Sequence, residues 1–172
     1  MKGATVKDHF VLMATYNAWA NERLYRMATQ LSDEQYRRNV GAYFNSLHGT
    51  LNHLLVTDRI WLKRLTGTGT APTRLDAVLF EDLGELSKAR RAEDERLSAF
   101  VEALTEERLE GPFAYRTVDS AAQRQKLREV LAHLFNHQTH HRGQAHGILT
   151  ALGVKEPDSL DLLRMMRDRA GS

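Results

Sequence analysis

The 172-residue chain contains no cysteine. Disulfide bonds, cysteine-ligated zinc and a thiol nucleophile supplied by the protein itself are therefore excluded. No segment approaches the roughly 20 apolar residues of a membrane-spanning helix. The N-terminal sequence MKGATVKDHFVLMATYNAW also lacks the continuous apolar core of a signal peptide. We therefore expect no association with a membrane and a cytoplasmic location.

An excess of charge of one sign is also missing. The 24 Lys and Arg residues exceed the 22 Asp and Glu residues by only two. Nucleic-acid binding depends on clustered basic side chains that displace counterions from phosphates, so this small surplus does not indicate a nucleic-acid partner. The short basic runs QRQKLR and RMMRDR are typical of solvated helix faces. The length fits one domain over residues 1–172 with a core of its own.

Apolar residues recur at intervals of three and four along four long segments, which predicts four amphipathic helices. The predicted ranges are 6–30, 43–65, 79–109 and 126–152. The third range has a heavily charged face opposite its leucines. Such a pattern with little strand content predicts an all-α four-helix bundle.

Three further features complete the predicted fold. Gly153 stands where a left-handed cap would end the fourth helix. The sequence SLDLLRMMRD follows Pro157 and predicts a short extra C-terminal helix with Ser159 as its N-cap. Between the third and fourth helices, GPFAYRTVDSAAQRQ begins with Gly and Pro and predicts a loop that can include a short hairpin.

Five of the eight histidines fall within the predicted fourth helix, in HLFNHQTHHRGQAHGILTALG. Each residue of an α-helix advances about 100° around the axis, so His137 and His141 are neighbours at the edge of the apolar stripe. His133, His140 and His146 point towards the polar side. Two histidines four residues apart can reach one metal ion from adjacent turns. The pair alone fits hydrogen-bonded core histidines equally well.

The second predicted helix carries His48 and His53, and the helical wheel does not choose between them. The wheel places Asp58 inside the apolar face, which is unfavourable unless the carboxylate is paired. Its partner would be an arginine from another helix, such as Arg142, or the free nitrogen of a metal-bound histidine. A helix rotated enough to expose Asp58 to solvent is the alternative.

Several known site patterns are absent from the sequence. The Glu-x-x-His pairs of di-iron bundles do not occur, and neither do HExxH or the glycine fingerprints of phosphate-binding and dinucleotide-binding loops. GTGTAP lacks the lysine of a phosphate loop and is interpreted as a turn. Tyr16 and Trp19 are candidates for a cavity lining, although aromatic residues at helical spacing are more often part of a core.

The stretches YNAWANERL, LHGTLNHLLVTDRIWLKRLTG and HLFNHQTHHRGQAHGILTALG resemble the DinB/YfiT-like superfamily of helical metalloenzymes. This is the damage-inducible bundle family, not the DNA polymerase that shares the name, and the resemblance covers nearly the whole chain. It implies a bundle of up-down-down-up connectivity, a homodimer and a divalent metal ion. Transferred to this sequence, the ligands are His53 from LNHLL, then His137 and His141. The choice of His53 over His48 rests on the resemblance.

Three neutral imidazoles leave open positions on a metal ion, and they suit zinc, nickel, iron or copper, of which we expect zinc or nickel first. A divalent ion lowers the pKa of a bound thiol, and the resemblance implies thiol-dependent enzymes. We therefore expect a metal-dependent thiol S-transferase or hydrolase-like enzyme that acts on a small-molecule substrate, with a low-molecular-weight thiol as cosubstrate. Arg142 points about 100° away from His141 and is expected to pair with an acid such as Asp58 or with an anionic substrate.

Two other functions stay open at this point. The first is a metal-binding bundle protein without turnover, serving sequestration, sensing, dimerisation or a stress response. The second is a DNA-associated stress protein, which would require duplex binding that depends strongly on salt.

Overall fold

The computed structural model describes residues 3–171, and most of these residues are helical. Four helices of 20 or more residues correspond to the four that the apolar spacing predicts. Three short helices and a two-stranded antiparallel sheet complete the described part of the chain. The elements are α1 (Val6–Ala28), α2 (Asp33–Arg37), α3 (Leu47–Thr66), α4 (Leu83–Glu102), α5 (Glu106–Glu110), β1 (Pro112–Arg116), β2 (Ala122–Lys126), α6 (Leu127–Ala151) and α7 (Leu162–Ala170).

The second long helix, α3, begins later than the predicted range of 43–65. Asn45 has a φ of +65°, and the extended Ser46 caps α3 by accepting a hydrogen bond from the Gly49 backbone N–H at 3.1 Å. Residues 43–45 therefore form a turn, which the apolar spacing did not reveal. As a consequence, Tyr43 is not on the buried face of a helix, as its spacing predicted, but is 85% exposed.

The third predicted helix, over residues 79–109, is divided in the structure. Asp82 has an extended backbone and caps α4, because its carboxylate accepts a hydrogen bond from the Glu85 N–H at 2.9 Å. Thr105 caps the separate helix α5 in the same way, through the Arg108 N–H at 3.1 Å. An extended cap residue cannot continue a helix, so the uninterrupted range was wrong at both ends.

The segment between α5 and α6 forms a hairpin. Strands β1 and β2 are antiparallel, with Pro112 opposite Lys126 and Phe113 opposite Gln125. Ser120 has a φ of +69° in the connecting turn, and Phe113 is buried in the core. The sequence allowed this hairpin, but the assignment of the fold as all-α was wrong to this extent.

The C-terminal features agree with the sequence except for one cap. Gly153 has a φ of +93°, the left-handed conformation expected after α6. The short helix α7 is present, but its N-cap is Asp161 rather than Ser159. The Asp161 carboxylate accepts from the Arg164 N–H at 3.1 Å, whereas the Ser159 hydroxyl accepts from the Asp161 N–H at 3.2 Å.

The four long helices pack in a regular pattern, in which α1 and α3 each contact both α4 and α6. Helices α3 and α6 run in opposite directions, while α1 runs parallel to α6 and α3 runs parallel to α4. None of the helices within residues 3–171 combines the length and apolar character needed to cross a membrane. For α3 and α6, the direction follows from the contacts His53–His141 and Trp61–His133. For α1 and α6, it follows from Phe10–Phe135 and Tyr16–Arg142. For α3 and α4, it follows from Asp58–Arg90 and Arg59–Glu93.

The interior is layered along the helix axes. One apolar cluster contains Phe10 and Trp61, and a second contains Leu24 and Leu51. Each long helix places buried polar residues between its contributions to the two clusters. The members of this polar layer are Asn17, Asn21, Asp58, Arg90, Asp94, Gln138 and Arg142. Part of α4 that the sequence assigned to a charged outer face is therefore buried.

Candidate metal centre

Three histidines meet where α3 and α6 pack against each other. His53 comes from α3, and His137 and His141 come from successive turns of α6. One ring nitrogen from each of the three lies within 4.8 Å of one from each of the others. Their ring centroids are 4.4 to 5.2 Å apart. The packing of α3 against α6 therefore brings residues that are far apart in the sequence to the same level of the bundle.

A backbone contact fixes the orientation of the His53 ring. The Nδ1–H group of His53 donates to the backbone carbonyl oxygen of Leu75 at 2.8 Å, and a carbonyl oxygen can only accept. The other nitrogen, Nε2, is therefore the one with the free lone pair in the neutral ring. That atom is buried and has no hydrogen-bond partner within the described part of the chain. Such an unsatisfied buried nitrogen is what a metal ion would complete.

A side-chain contact does the same for His141. Its Nδ1–H group donates to the Oε1 atom of Gln144 at 2.7 Å, which leaves its Nε2 lone pair free. Gln144 in turn donates through Nε2 to the Nε2 atom of His140 at 3.2 Å. Gln144 therefore orients one histidine of the cluster and is itself held by another histidine outside it.

The three histidines are neutral at physiological pH. Burial, with a smaller contribution from the nearby His141, lowers the pKa of His53 to about 4, against the opposing effect of the hydrogen bond to the Leu75 carbonyl. Burial, followed by the neighbouring histidines, lowers the pKa of His137 to about 3. The pKa of His141 is also lowered, chiefly by burial. Only a deprotonated imidazole nitrogen can bind a metal ion, so the protonation state and the geometry both fit a metal site.

Phe44 covers one side of the cluster. Its ring stacks on His53 with the centroids 3.8 Å apart, and it lies edge-to-face with His141 at a centroid separation of 5.6 Å. Gly49 allows this arrangement, because a Cβ atom at that position would lie 2.1 Å from the Phe44 carbonyl oxygen. Neither role was evident from the sequence. The turn before α3, which brings Phe44 over the histidines, depends on Asn45 and Ser46.

The histidines lie in an open cavity of about 830 Å³. Its walls come from the turn at 43–46, the first residues of α3, the loop segment 75–78 and one face of α6. His140 and Gln144 complete the α6 side. A small molecule can therefore reach the cluster from solvent.

The remaining histidines of the sequence prediction take separate positions. His48 is buried, lines the same cavity and bonds to the Phe80 carbonyl oxygen through Nε2 at 3.1 Å. His133 and His140 are exposed. His146 is half-buried, and its Nε2 bonds to the carbonyl oxygen of Asp158 at 3.0 Å. The structure does not bring any of these four into the three-nitrogen cluster.

Asp58 is buried, as its place on the wheel indicated, so the solvent-exposed alternative is wrong. Its partner is an arginine from another helix, but this arginine is Arg90 of α4 rather than Arg142. The Arg90 Nη2 lies 2.8 Å from Asp58 Oδ2 and 3.1 Å from Asp94 Oδ1. The sequence did not single out Arg90, because it lies in the charged stretch KARRAEDE, which is typical of a solvated face.

The second contact of Asp58 reaches the helix that carries two of the clustered histidines. Gln138 donates to Asp58 Oδ1 at 2.6 Å and to the Leu54 carbonyl oxygen at 3.0 Å. Burial raises the pKa of Asp58 to about 6, and the charge of Arg90 opposes that rise. Burial also raises the pKa of Asp94.

Arg142 lies in the polar layer and not in the cavity. It is 1% exposed and donates to the side-chain oxygen of Asn17, and its guanidinium lies 5.2 Å from the centroid of the Tyr16 ring. Tyr16 and Trp19 also lie outside the residues that line the histidine cavity. The Tyr16 hydroxyl instead donates to the Leu160 carbonyl oxygen at 2.7 Å.

Comparison with known proteins gives consistent matches. The model of the DinB family matches residues 3–169. Protein DinB of Bacillus subtilis (strain 168) is 28% identical over 158 residues, which cover 86% of this chain and 88% of that protein. The crystal structure of a DinB-like protein from Bacillus cereus ATCC 10987 matches with a TM-score of 0.66 and 20% identity, over 87% of this chain and 95% of the other. That structural likeness supports a shared fold.

Proposed function

The chain belongs to the DinB family, since the family model covers nearly all of it, and we propose that it binds one divalent metal ion through His53, His137 and His141. The observation that carries this proposal is the buried, unpartnered Nε2 of His53 beside the two α6 histidines. Zinc and nickel are the ions that we propose first, because both accept three imidazole ligands.

We further propose that the site is catalytic and uses a low-molecular-weight thiol, as a thiol S-transferase or a hydrolase-like enzyme. When bound, a divalent ion lowers the pKa of a thiol or water that occupies an open position on it. The chain has no cysteine to act as a nucleophile. An external thiol fits this gap, and the open cavity of about 830 Å³ gives it and a small-molecule substrate room to enter.

The chain's own residues would prepare the site before any ligand arrives. The Leu75 carbonyl and the Gln144 side chain hold the Nδ1–H groups of His53 and His141, which directs both Nε2 lone pairs away from these contacts. Phe44 covers the His53 ring and limits the access of water from that side. The cluster thus needs little rearrangement to bind a ligand, which reduces the cost of binding.

Asp58 and Arg142 would act as positioning residues within this site. Gln138 lies next to His137 in the sequence, and its bonds to Asp58 and to Leu54 tie α6 to α3 at the level of the histidines. Arg142 follows His141 and ties α6 to Asn17 of α1. None of the residues in these contacts lines the cavity, so we propose that they support the histidine ligands and do not contact substrate.

We also propose that the four long helices form a four-helix bundle of up-down-down-up connectivity. The parallel pairs α1–α6 and α3–α4, with the antiparallel pair α3–α6, support this connectivity. A homodimer and a cytoplasmic location stay predictions from the resemblance and the sequence.

The cobalt(II)-loaded protein provides the test of function. We expect one cobalt ion per chain and, on addition of a thiol such as 2-mercaptoethanol, a sulfur-to-cobalt charge-transfer band. A haloarene or epoxide should then be consumed in the presence of thiol. The thiolate sulfur forms a bond to carbon as the carbon–halogen bond breaks and releases halide and the thiol proton, or as an epoxide carbon–oxygen bond opens and its oxygen takes up that proton. The variant His137→Ala should lose both the metal and the band, whereas His133→Ala, on the same helix, should keep them. Cobalt binding without a response to thiol would instead indicate a metal-binding protein without turnover.

A further inference from the structure

Apart from the proposed metal ion, the cavity over the histidines has no positive charge from lysine or arginine side chains within residues 3–171. None of the described residues that line it is lysine or arginine. Asp76 is the carboxylate in this lining, and Arg74, which lies outside it, donates to Asp76 at 2.6 and 2.9 Å. A carboxylate on a ligand would therefore lose part of its hydration without gaining a protein cation as partner, which is unfavourable.

The rim of the same cavity is apolar. Tyr43, Leu75 and Val78 are 85%, 46% and 48% exposed, and all three line the cavity. Seven large hydrophobic side chains are exposed within residues 3–171, so nearly half of them surround this one opening. They come from two separate loops. Apolar side chains that converge on a few polar groups are typical of sites that bind the apolar part of a small molecule.

From these two observations, and resting on the proposed metal site, we propose that the cavity selects ligands whose far end is an uncharged aromatic or aliphatic group. The metal-binding end of the ligand, such as a thiol, would reach the histidines. The apolar end would contact Tyr43, Leu75 and Val78. Ligands with a carboxylate at that end are disfavoured, because the wall offers no cation to pair with it. The ligand class is therefore thiols whose far end is uncharged and apolar.

The test uses two thiols on the cobalt(II)-loaded protein, 4-(mercaptomethyl)benzoate and its methyl ester. The methylene group separates the thiol from the ring substituent, so the two thiols have similar acidity and differ mainly in the charge at the far end. Each is titrated while the sulfur-to-cobalt band is recorded. We expect the ester to bind roughly tenfold more tightly than the benzoate, because the carboxylate of the benzoate would be unpaired and partly desolvated in the cavity.

Charge variants at the rim show whether the walls cause this preference. Leu75→Lys places a cation on the rim, and Val78→Lys does so independently from the same loop. Either variant should reduce or reverse the advantage of the ester. Leu163→Lys is the matched control, because Leu163 is an exposed hydrophobic residue on α7 that does not line the cavity. It should leave the ratio of the two dissociation constants unchanged.

The possible results separate this inference from the function on which it rests. Equal affinities, or tighter binding of the carboxylate by the wild type, would overturn the selectivity while the thiol band itself would still support the proposed function. A change of the ratio in Leu163→Lys as large as that in Leu75→Lys would also overturn the selectivity. If neither thiol produced the band in the cobalt-loaded protein, the proposed function would fail, and the selectivity with it.

Discussion

The Nδ1 atom of His53 lies 2.8 Å from the backbone carbonyl oxygen of Leu75, a residue 22 positions further along the chain. This contact predicts which tautomer His53 adopts. In the metal-free protein at pH 7, Nδ1 should carry the proton and Nε2 should be unprotonated, because burial keeps the pKa of this ring near 4. Long-range ¹H–¹⁵N correlation spectra of histidine-labelled protein would show this. A proton on Nε2, or a cationic ring at pH 7, would contradict the geometry of the site.

Gly49 is predicted to be essential for the turn that carries Phe44. The variant Gly49→Ala places a Cβ atom against the Phe44 carbonyl oxygen, so the turn must shift, and overpacking of this kind destabilises by about 1–3 kcal/mol. Gly147→Ala is the matched control, since a Cβ there meets no atom within 4 Å. Within the last turns of α6 it should stabilise the protein by at most about 0.5–1 kcal/mol. Urea unfolding followed by circular dichroism measures the free energy of unfolding of each variant. A change of the same sign in Gly49→Ala and Gly147→Ala would contradict this account.

Arg90 is predicted to be critical for stability, because it forms ion pairs with two buried carboxylates. Removing one partner of a buried ion pair leaves an uncompensated charge, so Arg90→Met should lower the free energy of unfolding by roughly 3–5 kcal/mol. Replacing Asp58 and Asp94 by Asn in the same protein should recover part of this loss. Arg74→Met breaks the exposed pair with Asp76 and should change stability little. A small effect of Arg90→Met would mean that the buried network does not hold the helices together.

The raised pKa of Asp58 predicts a particular dependence of stability on pH. Burial raises this pKa from 3.8 to about 6 in the folded protein, against the effect of Arg90. Between these values the folded protein keeps a proton that the unfolded chain releases, so the free energy of unfolding should fall as the pH rises from about 4 to 6. The measurement is the difference between the wild type and Asp58→Asn at several pH values, because the variant lacks this titration. The free energy of unfolding of the wild type minus that of the variant should fall as the pH rises, and an increase would contradict the assignment.

The sequence predicted those parts of the fold and site that depend on local periodicity. The approximate ranges of α1 and α6 follow from apolar spacing, and the placement of His137 and His141 on one face follows from the geometry of the helix. His53 was chosen over His48 by resemblance, because the helical wheel did not distinguish them. The structure separates the two by their contacts, with His48 bonded to Phe80 and His53 beside the α6 histidines.

The features that the sequence missed depend on contacts between distant segments. A helical wheel gives the direction of Asp58 but not its partner, so Arg90 could not be distinguished from the other arginines. The Leu75 carbonyl is a backbone atom in a loop, and no residue type marks such a contact. Phe44 appeared to continue an apolar helix. An Asn with a positive φ at position 45 and a Ser cap at position 46 are weakly indicated by residue type alone.

Elemental analysis of untagged protein loaded with zinc or nickel tests the central claim most directly. The wild type should carry about one divalent ion per chain. The variants His53→Ala, His137→Ala and His141→Ala should each lose the ion, while circular dichroism shows that they remain folded. His48→Ala and His133→Ala should keep it, since neither residue belongs to the cluster. A wild type that stays metal-free after loading, or loss of the ion in all five variants alike, would contradict the three-histidine site.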